Sequence, residues 1–457
     1  MLVPPTLYLT EYANFGEQKI ISRLPPQEKN KSKGIWEALK EFAKANKELL
    51  KFEDSDTLKT QNYVGLIQIE GFCIEILPKV CEYDEHDLER HTSCNKKISQ
   101  LDTLKFQEYA REFIKPQTNL ELLKEPTCPI CYAKQILYNC LSTLQDMSFK
   151  QTHFSQLDSA HLPILDVFVC MFLDECMELI KRGLKRDYLG VSENHHYLKG
   201  KLEFPSHLKI NLVHKERFYT TSDEYSLDVA PNRLIKSTLE TFKTLALSPQ
   251  TQEKLNAVRF VFDEISTSKN IDADFAKSAH ASRFKEYENL LAWCNLFLRK
   301  KSLMAYSGSN QAYALLFPME KLFESFVGAW LQRSLRGYDV SLQEQSRHLA
   351  KDENSQNCFE MRPDIVLRDK EEVLILDTKW KTPKENKEPL RADLYQMWAY
   401  ASKYASVELI GKQRRVSVWL VYPWQGSGST STWTFKASEL FSADGIQLTL
   451  KYFPLSL

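Results

Sequence analysis

RPDIVLRDKEEVLILDTKWK, residues 362–381, decides the reading of the fold. Two aliphatic runs, Ile365-Val366-Leu367 and Val373-Leu374-Ile375-Leu376, flank a charged segment at 368–372. Short β-branched runs on either side of a polar turn favour strands over a helix, so the stretch predicts a β-hairpin. Asp364 opens the first run, and Asp377-Thr378-Lys379 closes the second. Side chains alternate along a strand, which puts Asp377 and Lys379 on one face. Two carboxylates and a lysine at strand ends can hold Mg²⁺, which takes oxygen ligands and is usually bound by one or two carboxylates. Asp364 and Asp377 are therefore the candidate metal ligands.

Upstream, residues 317–335 predict one helix that carries Glu320 and Glu324 on the same face. A strand at 340–345 follows. Downstream, residues 391–404 predict a helix with Gln396 and Tyr400 one turn apart, then a strand at 416–422. The order is a helix with Glu, a strand with Asp, a strand with Asp-x-Lys and a helix with Gln-x-x-x-Tyr. It resembles the PD-(D/E)xK nuclease superfamily. The resemblance implies a mixed sheet flanked by helices over residues 311–457 and a phosphodiester-cleaving site. Glu324 then acts through a water or on a second metal; it is preferred to Glu320 because the family pattern places Phe-Glu there. Lys379 would stabilise transition-state charge and position the attacking water. Gln396 and Tyr400 would orient the phosphate backbone or Lys379. The structural alternatives are a turn cap for Asp364, an ordinary Asp377–Lys379 ion pair and a solvated helix carboxylate for Glu324.

The bulk properties set limits. At 457 residues the chain can bury several cores and predicts two or three domains. Lys plus Arg and Asp plus Glu each number 60, which excludes a globally basic nucleic-acid binder; DNA contact must come from local patches. One such patch follows the hairpin: Lys379, Lys381, Lys384, Lys387, Arg391, Lys403, Lys412, Arg414 and Arg415. A solvated basic face explains it equally well. The N-terminus lacks the charged region of a signal peptide, and no apolar run reaches a membrane span. Ten scattered cysteines then fit reduced thiols in a cytoplasm.

Residues 1–160 read as an N-terminal α+β module, 161–310 as a mainly helical middle region and 311–457 as the nuclease core. In the first, residues 33–51 predict a helix with Ile35, Leu39, Phe42 and Leu49 at helical spacing, and strands at 63–70 and 72–77 meet at Gly71 as a hairpin. Cys128-Pro129-Ile130-Cys131 is a lone CxxC. Zinc normally takes four ligands, so this pair reads as two thiols unless folding brings in Cys81, Cys94, His86 or His91. In the middle region, 165–184 predicts a core helix, and Asp228 with Pro231 opens another, where Asn232 and Arg233 orient a local turn rather than catalyse.

The wider pattern resembles McrC, the nuclease subunit of McrBC-type modification-dependent restriction systems. The resemblance is carried by Gly65-Leu66-Ile67, by Glu75-Ile76-Leu77-Pro78-Lys79, by Lys199-Gly200-Lys201-Leu202, by residues 228–233 and 319–326, and by the hairpin. It implies a McrB-like AAA+ GTPase partner, double-stranded DNA as substrate and GTP used only through that partner. It also implies an N-terminal module that docks to and stimulates the GTPase. The small-residue loop at Gly426 lacks the lysine of a phosphate-binding P-loop, so the motor is expected on another polypeptide. Competing readings are a stand-alone repair-type nuclease and a non-catalytic adaptor that activates an AAA+ ring.

Overall fold

A computed structural model describes residues 4–69, 71–80, 84, 87, 91, 94, 103–115, 128–143, 163–279, 287–299, 305–307, 310–381, 391–412, 414–424, 431–435 and 446–455. Two compact units emerge: residues 5–164 together with 304–457, and residues 165–303 with the first four residues. The chain therefore leaves the first unit, builds the second and returns.

The larger unit contains two main sheets. The first orders Thr6–Thr10, Phe72–Leu77, Tyr63–Ile69, Asn310–Pro318 and Ala305–Ser307. Its hairpin turns at Gly71, whose φ of +81° suits a residue without Cβ. The strand Asn310–Pro318 pairs antiparallel with Tyr63–Ile69, almost 250 residues away in sequence, and Ala314 and Leu316 join the N-terminal core beside Leu39, Phe42 and Ile67. The expected helix at 33–51 runs only over Ser32–Ala45; Asn46 caps it, and Leu50 opens the strand Leu50–Phe52. Leu49 and Leu50 are buried from that strand connection, which mimics continued helical spacing.

The second sheet has six strands in the order Asp339–Leu342, Ile365–Arg368, Glu372–Thr378, Arg415–Pro423, Ile446–Phe453, Ser431–Phe435. The predicted hairpin is its antiparallel centre, with Ile365 opposite Leu376. Asp369 ties the turn by accepting from the backbone of Glu371 and Glu372. Glu372–Thr378 then pairs parallel with Arg415–Pro423, and the helix Arg391–Lys412 makes the crossover that a parallel pair requires. The helix Met319–Ser334 follows directly on the last long strand of the first sheet. Two further helices, Thr103–Phe113 and Pro129–Leu141, pack onto this framework. Phe106 stacks on Trp330 at 4.9 Å, and Phe113 meets Phe453 edge-on at 5.1 Å.

The unit at 165–303 is mainly helical, led by Ile164–Arg182, which is buried around most of its circumference near its start. It also holds a three-stranded sheet, Asp187–His195, Phe218–Ser226 and Lys201–Leu202; the sequence suggests a strand or turn at 197–202, and the two longer strands are additional to the helical expectation. Its strands are rich in polar residues and mostly half-buried, so no apolar alternation announces them. Arg233 donates bidentately to Asp228 at 2.8 Å on each arm, and Asn232 donates to the carbonyls of Lys185 and Leu227. These side chains tie a local turn, as the sequence suggested. Among the described residues, no helix is long and apolar enough to cross a membrane. Expectations for Cys81, His86, Lys384, Lys387 and Gly426 lie outside the described residues.

Candidate functional site

The site grows from the hairpin register. Because Ile365 faces Leu376, the next step sets Asp364 opposite Asp377. Asp364 lies just before its strand, and its Oδ2 accepts from both the backbone N–H and the hydroxyl of Thr378, each at 2.7 Å. Asp377 is almost fully buried, and its Oδ2 is ion-paired with Lys379. The Lys379 ammonium also donates to Gln396 Oε1 at 2.9 Å. Gln396 turns its amide N–H₂ toward Asp377 Oδ1 at 3.1 Å and Tyr400 OH at 3.0 Å. Tyr400 OH in turn donates to the Arg362 carbonyl at 3.2 Å, just ahead of the strand Ile365–Arg368. One helical turn between Gln396 and Tyr400 is what lets both reach this network.

Glu324 completes the electrostatics. Burial first, then Asp364 and Asp377, push its carboxyl up to about 7. Burial and the charge of Asp364 likewise push Asp377 up to about 7. Asp364 is raised too, chiefly by burial, against the lowering effect of the Thr378 donors. Burial works against a charged Lys379, yet the adjacent Asp377 dominates with its other partners and keeps the ammonium charged. Glu320, four residues earlier, instead acts on Glu11 and Tyr12. The structure thus separates the two glutamates that sequence spacing left on one face.

One buried and two half-buried acids, with the charge of Asp364 raising the proton affinity of both Glu324 and Asp377, describe a site short of positive charge. An all-oxygen carboxylate set of this kind suits Mg²⁺. As a set of three, the oxygens of Glu324, Asp364 and Asp377 are not drawn within 4.8 Å of one another.

Several contributors escaped the sequence reading. Gln343 donates to Glu324 from a left-handed backbone, φ +50°, and its own N–H bonds the Asp364 carbonyl at 2.8 Å. Trp380, next to Lys379, donates its indole N–H to Glu11 at 2.8 Å. Lys79 donates to the Trp380 carbonyl at 3.0 Å, and its backbone N–H bonds Glu11. The Glu75-to-Lys79 stretch therefore ends at the site's flank. The basic run, by contrast, is partly spent internally: Lys381 pairs with Asp393, Arg414 with Glu408, and Lys403 donates to the Leu349 carbonyl.

The chain is similar to restriction-system proteins. The family described as McrBC 5-methylcytosine restriction system component matches residues 58–423, so the chain belongs to that family. It is 21% identical over 268 residues to the type IV methyl-directed restriction enzyme EcoKMcrBC of Escherichia coli (strain K12), covering 56% of this chain and 75% of that protein. Its fold is similar to a chain from a tetradecameric assembly of Thermococcus gammatolerans McrB AAA+ hexamers with bound McrC. That match has a TM-score of 0.62 and 17% identity, and it covers 98% of this chain and 94% of the other. A second Thermococcus gammatolerans McrBC complex matches with a TM-score of 0.46, 17% identity, and 73% and 89% coverage.

Proposed function

We propose that this chain is the Mg²⁺-dependent DNA-cutting subunit of a McrBC-type restriction complex, working with a McrB-like AAA+ GTPase in the cytoplasm. The observation that carries the reading is the Asp364, Asp377 and Lys379 constellation on adjacent strand ends, locked by Gln396. It resembles the arrangement of a PD-(D/E)xK nuclease. Asp364 and Asp377 would hold the metal, with Glu324 reaching it through water. When bound, Mg²⁺ polarises the scissile phosphate and makes its water more acidic.

The chain's own groups supply the rest. Lys379 offers its ammonium to charge developing on the phosphoryl oxygens and holds the attacking water by hydrogen bonding. Gln396 fixes Lys379 and Asp377 in one orientation, so little reorganisation is left for the reaction itself. Tyr400 anchors Gln396 to the backbone that leads into Asp364. Glu11, Trp380 and Lys79 brace the strand end that bears Lys379. The partner would supply DNA translocation and GTP hydrolysis.

The test reconstitutes the chain with its GTPase partner, GTP, Mg²⁺ and methylated or unmethylated plasmid. Asp377→Ala is expected to abolish cleavage and to leave stimulation of GTP hydrolysis near the parental rate. Cleavage by that variant at the parental rate removes the site assignment. Parental cleavage without any partner or GTP favours a stand-alone nuclease instead.

A further inference from the structure

We propose a second metal centre, a structural zinc site formed by His91, Cys94, Cys128 and Cys131. By sequence alone the CxxC reads as two thiols for want of further ligands. Folding supplies them from an HxxC turn 37 residues upstream of the CxxC.

The distances match a tetrahedral ion. Cys131 Sγ lies 3.4 Å from His91 Nδ1, Cys128 Sγ lies 3.7 Å from it, and Cys94 Sγ lies 3.8 Å from Cys131 Sγ. With Zn–S near 2.3 Å and Zn–N near 2.0 Å, tetrahedral angles put sulfur about 3.8 Å from sulfur and about 3.6 Å from nitrogen. His91, Cys128 and Cys131 are buried, with ligand atoms all within 4.8 Å of one another; among the described residues no other trio of His, Cys, Asp or Glu meets that condition. Cys94 is half-buried, lies 3.8 Å from Cys131 Sγ but outside that trio, and would move in to take the fourth corner when the ion binds.

The local backbone is built for it. His91 and Cys94 are the ends of a tight turn, in which the Cys94 N–H donates to the His91 carbonyl at 3.2 Å. Cys128 is the N-cap of the helix Pro129–Leu141, but its side chain caps nothing, and Cys131 sits in the first turn. Two ligands three residues apart at a helix start point the same way. Tyr8 packs edge-on against the His91 ring at 5.5 Å, fixing the imidazole plane. The helix itself is anchored by Lys134, whose ammonium pairs with Glu75 at 3.1 Å with both side chains fully buried.

Such a centre would act as a clasp. It would join the HxxC turn to the helix Pro129–Leu141 and close the loop that contains the helix Thr103–Phe113. That helix packs on Phe326 and Trp330 of the Glu324 helix. The clasp therefore secures the scaffold behind the nuclease site without entering its chemistry. All-thiolate and imidazole ligation selects zinc over Mg²⁺, so the two centres would not compete for one ion.

The experiment is elemental analysis of untagged full-length protein, with cobalt substitution in parallel. We expect about one zinc per chain by the ligand count, retained in Asp377→Asn and Cys358→Ser and lost in Cys128→Ser and Cys131→Ser. Cobalt-loaded protein should show the intense visible bands of tetrahedral thiolate coordination. Should the serine variants misfold, titrating wild-type thiols with a mercurial must release the zinc in step with thiolate loss. Zinc at the level of the serine variants, zinc that disappears with Asp377→Asn, or bound iron with labile sulfide each overturns the proposal.

Discussion

Replacing Asp377 by Asn removes one charge from the acidic cluster while keeping the side chain's shape and an oxygen for Gln396. Asp377 is 2% exposed, and burial with the Asp364 charge raises its carboxyl from 3.8 to about 7. Roughly three pH units at 1.36 kcal/mol each put the cost of ionising it, in the absence of metal, on the order of 4 kcal/mol. Asn also loses the Lys379 ion pair and still buries a polar group, so the recoverable part is about half, roughly 2 kcal/mol. The sign follows from proton linkage. Below about pH 4 the carboxyl is protonated in both folded and unfolded chains, and the stability that its raised proton affinity contributes is fully present. Between about pH 4 and about 7 the unfolded carboxyl ionises first, so the wild type loses stability relative to the Asn variant. Above about pH 7 that loss is complete. Thermal unfolding in EDTA should therefore show the variant gaining a few degrees on the wild type between about pH 5 and about pH 8. Mg²⁺ should reverse the order at the higher pH by stabilising only the wild type. A variant-minus-wild-type difference that stays flat with pH, or falls as pH rises, refutes the electrostatic account of the site.

Gln396→Ala breaks the link between Lys379, Asp377 and Tyr400, and cleavage by the reconstituted complex should fall about 10²-fold with GTP hydrolysis unchanged; an unaltered cleavage rate would count against preorganisation by this residue. Lys134→Ala leaves Glu75 buried without its ion-pair partner, and denaturant unfolding should register a loss of about 3–5 kcal/mol, whereas Lys134→Met with Glu75→Leu should be much milder. Gly65→Ala would place a Cβ 2.0 Å from the Leu315 carbonyl oxygen at a φ of +134°, so a loss of about 3 kcal/mol or more is expected in the same assay. Gly337→Ala meets no atom within 4 Å and should unfold like the wild type, which separates a steric clash from a general glycine effect.

Local pattern made much of the candidate site legible. The aliphatic runs around a charged turn specify the hairpin, and its register alone brings Asp364 opposite Asp377. Helical periodicity puts Gln396 and Tyr400 on one face. Glu324 was favoured over Glu320 only by analogy; their four-residue spacing is symmetrical, and it is the packing of the helix Met319–Ser334 that turns one toward Asp364 and the other toward Glu11. Gln343 had no sequence signal, because its role depends on a left-handed backbone that a glutamine rarely adopts.

By itself, then, the sequence determined the elements whose order is written in short-range hydrophobic period: the hairpin, the two flanking helices and the N-terminal hairpin at Gly71. Tertiary structure alone decided what depends on distant partners. The strand Asn310–Pro318 completes the N-terminal sheet, Glu11 reaches Trp380, and His91 with Cys94 meets Cys128 and Cys131. Period and turn chemistry act over a few residues, whereas these pairings close loops of tens to hundreds of residues. They are selected by the burial and hydrogen bonding of the assembled fold, which no local window contains.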